Sequence, residues 1–149
     1  MLTCWSAELK LKINKMKHEQ KHELLCDFFM FFRDNGEKNI GMSIEQFVEA
    51  FLQQKKIYIA GKITGMEEEA FELFEVAEKH LISLGYKVVN PMKLPHNHDK
   101  KWQSYMDECL IELRKCDEIY MLSNWMQSDG ATDEYLEAVT LEMNVIFEK

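Results

Sequence analysis

The apolar positions of this chain change their spacing once, near residues 53–56. Before that point Leu24, Phe28, Phe31 and Phe32 recur at helical intervals, which predicts a helix through the stretch LLCDFFMFF. Asn35-Gly36 is a stop signal, and Gly41 belongs to the same predicted loop. Ser43 followed by Gln46 has the pattern of a capping box, and Ile44, Phe47, Val48, Phe51 and Leu52 then form one apolar stripe. Two helices this short do not bury both stripes by themselves, so they are expected to pack on the rest of the chain or on a second copy of it. The QQKK stretch marks a predicted hinge between an N-terminal helical segment, residues 1–54, and an α/β domain, residues 55–149.

Beyond the hinge, short β-rich runs alternate with amphipathic helices. KIYIAG (56–61), YKVVNP (86–91), DEIYML (117–122) and NVIFEK (144–149) read as strands. MEEEAFELFEVAEKHLISLG reads as a helix with Ala70, Phe74, Ala77, Leu81 and Leu84 in line and Gly85 as its stop. WQSYMDECLIELRKC places Trp102, Met106, Cys109, Leu113 and Cys116 on one face, and ATDEYLEAVTLEM is a third helix. The order βαβαβαβ predicts a small Rossmann-like parallel sheet with right-handed crossovers, preceded by a helical hairpin.

Composition narrows the partners. A net charge of −8 argues against a nucleic-acid backbone as the main partner, because phosphate contacts need clustered Lys and Arg. The one basic cluster, KLKINKMKHEQKH at 10–22, reads as a solvated helix face. Cys4, Cys26, Cys109 and Cys116 form no CxxC pair, and no secretory signal precedes them. The longest apolar run is too short to span a bilayer and contains Asp27. A reduced cytoplasmic protein, away from membranes, is the simplest expectation.

In a parallel sheet of this kind, ligands bind at the carboxyl ends of the strands. The segments to read are therefore GKITGM (61–66), NPMKLPHNH (90–98) and SNWMQSDGATDE (123–134). GKITG is either an anion seat, with glycines that let backbone approach a ligand, or a plain tight turn; it lacks P-loop spacing. In SDGATDE, Ser128 and Gly130 lie where a helix begins, so a hydroxyl and free N–H groups are available to a phosphate. Helical spacing puts Glu134 beside Ala138 and Leu141 at the rim of the inward face, with Asp133 and Glu137 outward and Glu142 inward. By pattern alone Glu134 is either a functional carboxylate or part of an acidic first turn that steadies the helix dipole.

These residues have a familiar look when taken together. IYIAGKITG, GYKVVNPMKLPH, KCDEIYML and NWMQSDGATDEYLEA, in that order, resemble a family of small bacterial and phage domains of unassigned function. That family is similar to a compact branch of the nucleoside 2-deoxyribosyltransferase-like fold, which also contains the 2′-deoxynucleoside 5′-monophosphate N-glycosidases. The resemblance covers residues 55–149. It implies cleavage or transfer of the N-glycosidic bond of a (deoxy)nucleoside or its 5′-monophosphate, with Glu134 as nucleophile on the sugar's anomeric carbon. It implies that Ser128, six residues earlier, holds a 5′-phosphate, and that Tyr58 assists near the sugar and nucleophile. Gly61, Lys62, Ile63 and Thr64 then help hold sugar or phosphate. No metal or other cofactor is implied, and a homo-oligomer is, because the related enzymes complete their sites across a subunit boundary.

One position departs from the pattern. Many of the enzymes carry an aspartate eight residues before the one that opens the third strand, for base binding or leaving-group protonation. Here that position is Cys109, a poor substitute for a carboxylate and most simply a core residue; Asp107 is expected to face elsewhere. The departure keeps open a non-catalytic nucleotide-binding module, and the N-terminal phenylalanines keep open an oligomeric scaffold. Four further candidates complete the reading. Asn90 either bonds a sugar hydroxyl or makes an Asn-Pro turn. His96 is either a proton donor or phosphate contact, or a surface histidine, with His98 in the same loop. Trp125 either stacks a base or packs under its loop. His18, His22 and Cys26 share a helical face, but three ligands on one helix make a poor zinc site.

Overall fold

A computed structural model describes residues 15–35, 43–96, 99 and 101–149. The chain divides into two compact units, residues 1–53 and 54–149. His98 and the basic positions 10–14 lie outside the described residues.

The first unit contains α1 (His18–Asn35) and α2 (Ile44–Leu52). Both halves of the capping box form at the start of α2. Gln46 Oε1 accepts from the Ser43 N–H at 2.8 Å, and Ser43 Oγ accepts from the Gln46 N–H at 3.3 Å. Phe51 stacks edge-on with Phe28 (ring centroids 5.3 Å) and tilted against Phe31 (5.4 Å), so the aromatic seam joins the two helices. Phe32, expected in that seam, is instead exposed, as are Leu25, Phe29 and Met30.

The second unit is a four-stranded, fully parallel sheet in the order β2-β1-β3-β4. Its strands are β1 (Lys56–Ala60), β2 (Lys87–Val89), β3 (Glu118–Met121) and β4 (Asn144–Phe147). Three helices connect them: α3 (Glu67–Ser83), α4 (Trp102–Leu113) and α5 (Asp129–Thr140). The sheet alternates its side chains, as a pleat must. Ile57 and Ile59 point into a core with Ala70, Phe74, Ala77 and Leu81 of α3. Tyr58 and Ala60 point the other way, into a core with Cys109 and Leu113 of α4 and Ala138 of α5. Phe74 is fully buried, which contributes about 1.5–3 kcal/mol of transfer free energy.

Helix ends account for the departures from the predicted apolar faces. α3 stops at Ser83 because Gly85 turns the chain at φ +92°, and Leu84, expected on the inward stripe, is left exposed. α4 ends at Leu113, so Cys116 falls beyond it, half-buried; Trp102 in its first turn is half exposed. α5 ends at Thr140. Leu141 is exposed and Glu142, expected inward, sits in a left-handed turn (φ +55°) facing solvent. Among the described residues no helix is long and apolar enough to cross a membrane.

Two side chains tie the central strands together at opposite ends. At the amino end Asp117 Oδ2 accepts from the Lys56 N–H at 2.7 Å. At the carboxyl end Asn124 Oδ1 accepts from the Lys62 N–H at 3.0 Å, just past the ladder bond from the Leu122 N–H to the Ala60 carbonyl (2.8 Å). The chain runs from β1 out to β2, then crosses back to β3 on the other side of β1. That reversal makes the carboxyl ends of β1 and β3 the switch point, where ligands of such sheets bind.

Candidate functional site

A cleft of about 690 Å³ opens at that switch point. The size suits a small organic ligand. Gly61, Lys62, Ile63 and Thr64 supply one wall from the loop after β1. Gln127, Ser128, Asp129, Gly130, Ala131 and Glu134 supply another from the start of α5. Pro91, Met92 and His96 come from the segment after β2, and Trp102, Tyr105, Met106 and Cys109 from α4.

Glu134 reaches the cleft because α5 buries Ala131, Glu134 and Ala138 along one face. The residue is 5% exposed, and its Oε1 accepts from the Tyr58 hydroxyl at 2.6 Å. Tyr58 is wholly buried on β1 and stands behind Glu134, outside the cleft wall. Burial pushes the Glu134 carboxyl up to about 8; the Tyr58 hydrogen bond works against that rise and the nearby Asp133 charge adds to it. Tyr58 is itself held well above its ordinary range, by burial first and then by Glu134 and Cys109. A carboxyl group so placed stays neutral near pH 7 until something in the cleft or the solvent favours its ionised form. Once ionised it is a nucleophile or base steadied by a phenolic donor.

Cys109 both packs in the α4 core and lines the cleft. Burial, followed by the Glu134 charge, pushes its thiol up to about 12, so it carries its proton at any physiological pH. Asp107 is exposed and bonds Gln103 on the outer surface. Among the described residues no group of His, Cys, Asp and Glu is arranged to hold a metal ion; His22 Nδ1 lies 3.7 Å from Cys26 Sγ.

Ser128 caps α5, its Oγ accepting from the Ala131 N–H at 3.2 Å. The hydroxyl proton of a capping serine remains available to a ligand. Gly130 leaves room beside Met106: a Cβ there would meet Met106 Sδ at 3.0 Å. Gly61 is tighter still, since a Cβ would lie 2.6 Å from Leu122 Cδ1 and 3.1 Å from Asn124 Oδ1. The backbone itself therefore forms the cleft wall after β1.

Besides Tyr58, two candidates fall outside the cleft. Asn90 is buried with its amide engaged inside the protein: Oδ1 accepts from the Met92 N–H at 3.0 Å, and Nδ2 donates to Glu78 at 2.7 Å. It shapes the turn into a short 3-10 segment (Pro91–Lys93) and does not line the cleft. Trp125 packs beneath its loop, against Tyr135 (4.8 Å) and Phe147 (6.0 Å), and is absent from the cleft wall. His96 does belong to the cleft, and with it comes a partner the sequence did not single out, Glu108 of α4, whose Oε2 lies 2.6 Å from His96 Nδ1. Asn124 was likewise missed. It stands in the same NWMQSDG stretch, and its signal was an amide next to a strand end.

Residues 55–147 match the family described as a domain of unknown function, DUF4406. The chain belongs to that family. Its fold is similar to that of the 2-deoxyribosyltransferase from the psychrotolerant bacterium Bacillus psychrosaccharolyticus, with a TM-score of 0.50 and 21% sequence identity. The match covers 62% of this chain and 70% of that one. This DUF4406 member thus resembles nucleoside deoxyribosyltransferases in architecture. No curated protein matches it in sequence.

Proposed function

We propose that this DUF4406 domain cleaves or transfers the N-glycosidic bond of a (deoxy)nucleoside or its 5′-monophosphate. The observation that carries the reading is the buried 2.6 Å pair of Tyr58 and Glu134 opening onto a nucleoside-sized cleft at the switch point. Glu134 in its ionised form attacks the anomeric carbon through an oxocarbenium-like transition state and forms a glycosyl ester. The Tyr58 hydroxyl stabilises the carboxylate before attack and again as the ester breaks. Water resolves the ester in a hydrolase, and a second base resolves it in a transferase. Ser128 and the first turn of α5 take the 5′-phosphate when there is one, with Lys62 supplying charge from the opposite wall. The fold similarity to a 2-deoxyribosyltransferase supports the substrate class.

The test is incubation with a panel of nucleosides and nucleotides, scored by chromatography for free base, with Glu134→Ala beside the wild type. Base release that disappears in the variant is the expected result, and turnover unchanged by Glu134→Ala would overturn the assignment. The protonated thiol at Cys109 favours a second reading, a nucleotide-binding module without turnover. Thermal stabilisation by a nucleotide with no product over long incubation would select it.

A further inference from the structure

The glycosidic reading leaves the departing base without an obvious proton donor, and this inference rests on that reading. Besides Lys62 and the Tyr105 phenol, which packs on His96, the titratable groups of the cleft are few. Tyr58 behind it is committed to Glu134. Cys109 holds its proton too tightly to be an effective acid. Glu67 is an exposed carboxylate kept ionised by the Gly65 N–H, 3.0 Å away, and Asp129 is exposed at the cleft mouth.

His96 has a different setting. Its Nδ1 lies 2.6 Å from Glu108 Oε2, and its Nε2 lies 3.2 Å from the Pro91 carbonyl oxygen. Both neighbours are hydrogen-bond acceptors, so both contacts are satisfied together when both ring nitrogens carry protons. The tight contact is to the carboxylate and the long one is to Pro91, which also lines the cleft. His96 and Pro91 both line the cleft, so the longer Nε2 contact is the one a ligand there can replace. The Tyr105 ring packs edge-on against the imidazole at 4.7 Å and fixes its plane. The backbone of His96 is left-handed, φ +45°, a conformation uncommon outside glycine, though histidine adopts it more readily than most residues. Strain of this kind persists where the surroundings over-determine a side chain's position, and it gathers at functional sites.

We infer that His96, oriented by Glu108, is the acid that protonates the departing base. As the Glu134 oxygen bonds to the anomeric carbon, the bond from that carbon to the base nitrogen breaks and its electron pair passes to the base. The Nε2 proton of His96 follows onto the base, leaving a neutral imidazole. In the hydrolytic second half, that imidazole takes a proton from the attacking water. The water oxygen bonds to the anomeric carbon, the ester bond to Glu134 breaks, and both residues return to their starting states. His96 is a catalytic residue in this scheme and Glu108 a positioning residue.

The test compares two substrates with the same 2-deoxyribosyl group. One is a deoxynucleoside, whose base must be protonated to leave; the other is a 4-nitrophenyl 2-deoxyriboside, whose leaving group departs as a stable anion. The proteins are wild type, His96→Gln, Glu108→Gln and Glu134→Ala, each checked for folding by thermal melt. His96→Gln is expected to slow base release about 100-fold more than nitrophenolate release, within the usual range for loss of a general acid. Glu108→Gln is expected to show the same split in smaller measure. Equal slowing of both substrates, or slowing of neither, would overturn the inference and leave the Glu134 reading intact. Retention of both activities in Glu134→Ala would instead remove the glycosidic reading, and this one with it.

Discussion

Tyr58 and Glu134 stand 76 residues apart in the chain and share a 2.6 Å hydrogen bond in the interior. The sheet creates the pairing. Tyr58 points from the central strand toward the face covered by α4 and α5, and α5 returns from the neighbouring strand with Glu134 on its buried side. The hydroxyl offsets part of the burial that pushes the carboxyl up to about 8. Tyr58→Phe therefore raises the Glu134 value further. Carbon-13 NMR of glutamate-labelled protein, with Glu134→Gln to assign the resonance, measures this directly. Because a hydrogen bond to a charged group contributes about 1.5–3 kcal/mol, base release by Tyr58→Phe is expected to fall about 10- to 100-fold. A titration unmoved by the substitution would show that the hydroxyl has no electrostatic effect on Glu134.

Glu134 also has a cost for folding that depends on pH. In the unfolded chain its carboxyl titrates near 4.5, whereas in the folded protein it titrates near 8. Between these values the unfolded state has released a proton that the folded state keeps. Stability from this group is therefore full below pH 4.5, falls by about 1.4 kcal/mol per pH unit through the window, and is lost above 8. Glutamine accepts the Tyr58 bond without titrating. Glu134→Gln should melt close to wild type at pH 4.5 and clearly above it at pH 8, each kcal/mol being about 4 °C or more for a domain of this size. Melting curves at the two pH values check it, and a gap that stays constant or narrows toward pH 8 would contradict the assigned shift.

The same geometry explains what could be read from the chain beforehand. Ala70, Phe74, Ala77 and Leu81 are buried as their 3.6-residue spacing requires, and the alternation of strands and helices specified a parallel sheet. Spacing loses its authority where a helix ends. Leu84 and Glu142 fit an inward stripe on paper, yet each follows the last helical residue and faces solvent. Loop side chains have no period to betray their direction. Asn90 and Trp125 lie in the right segments and turn inward to pack, while His96 in an equivalent segment turns to the cleft. Its partner Glu108 sits on a helix with no pattern linking the two. Cys109 was legible as core and unremarkable as such; that it is also cleft wall follows from α4 ending one side of the ligand space.

Gly61 and Gly130 both line the cleft, and substitution separates their roles. A Cβ on Gly61 would press on Leu122 Cδ1 at 2.6 Å, Leu122 Cβ at 3.0 Å and Asn124 Oδ1 at 3.1 Å. The crowding falls first on the buried Leu122 side chain and then on the amide that holds the Lys62 N–H, so relief disturbs the packing beside the tie between the two central strands. Gly61→Ala is expected to destabilise the protein by about 1–3 kcal/mol, the usual range for overpacking. A Cβ on Gly130 meets only the flexible thioether of Met106 at 3.0 Å and the Ser128 hydroxyl at 3.9 Å. Alanine there also favours the helix by up to about 1 kcal/mol. Urea unfolding should place Gly130→Ala at or above wild type and Gly61→Ala well below it, and the reverse order would contradict the packing at both positions.

Ser128 has two demands on one oxygen. As the cap of α5 its Oγ accepts from the Ala131 N–H, and as the proposed phosphate holder its hydroxyl proton points a donor at an anion. Ser128→Ala removes both, so it should lose about 1 kcal/mol of stability as well as preference for monophosphates. That variant alone does not separate a weakened helix from a lost ligand contact. Ser128→Asp does, because aspartate caps a helix as well as serine does and its charge repels a phosphate. The expected result is near-normal urea stability for Ser128→Asp, with turnover of a 5′-monophosphate falling at least about tenfold more than that of the matching unphosphorylated nucleoside, as one unpaired like charge costing about 1.4 kcal/mol requires. Equal losses on the two substrates would return Ser128 to a purely structural role and move the phosphate, if one is bound, toward Lys62 on the opposite wall.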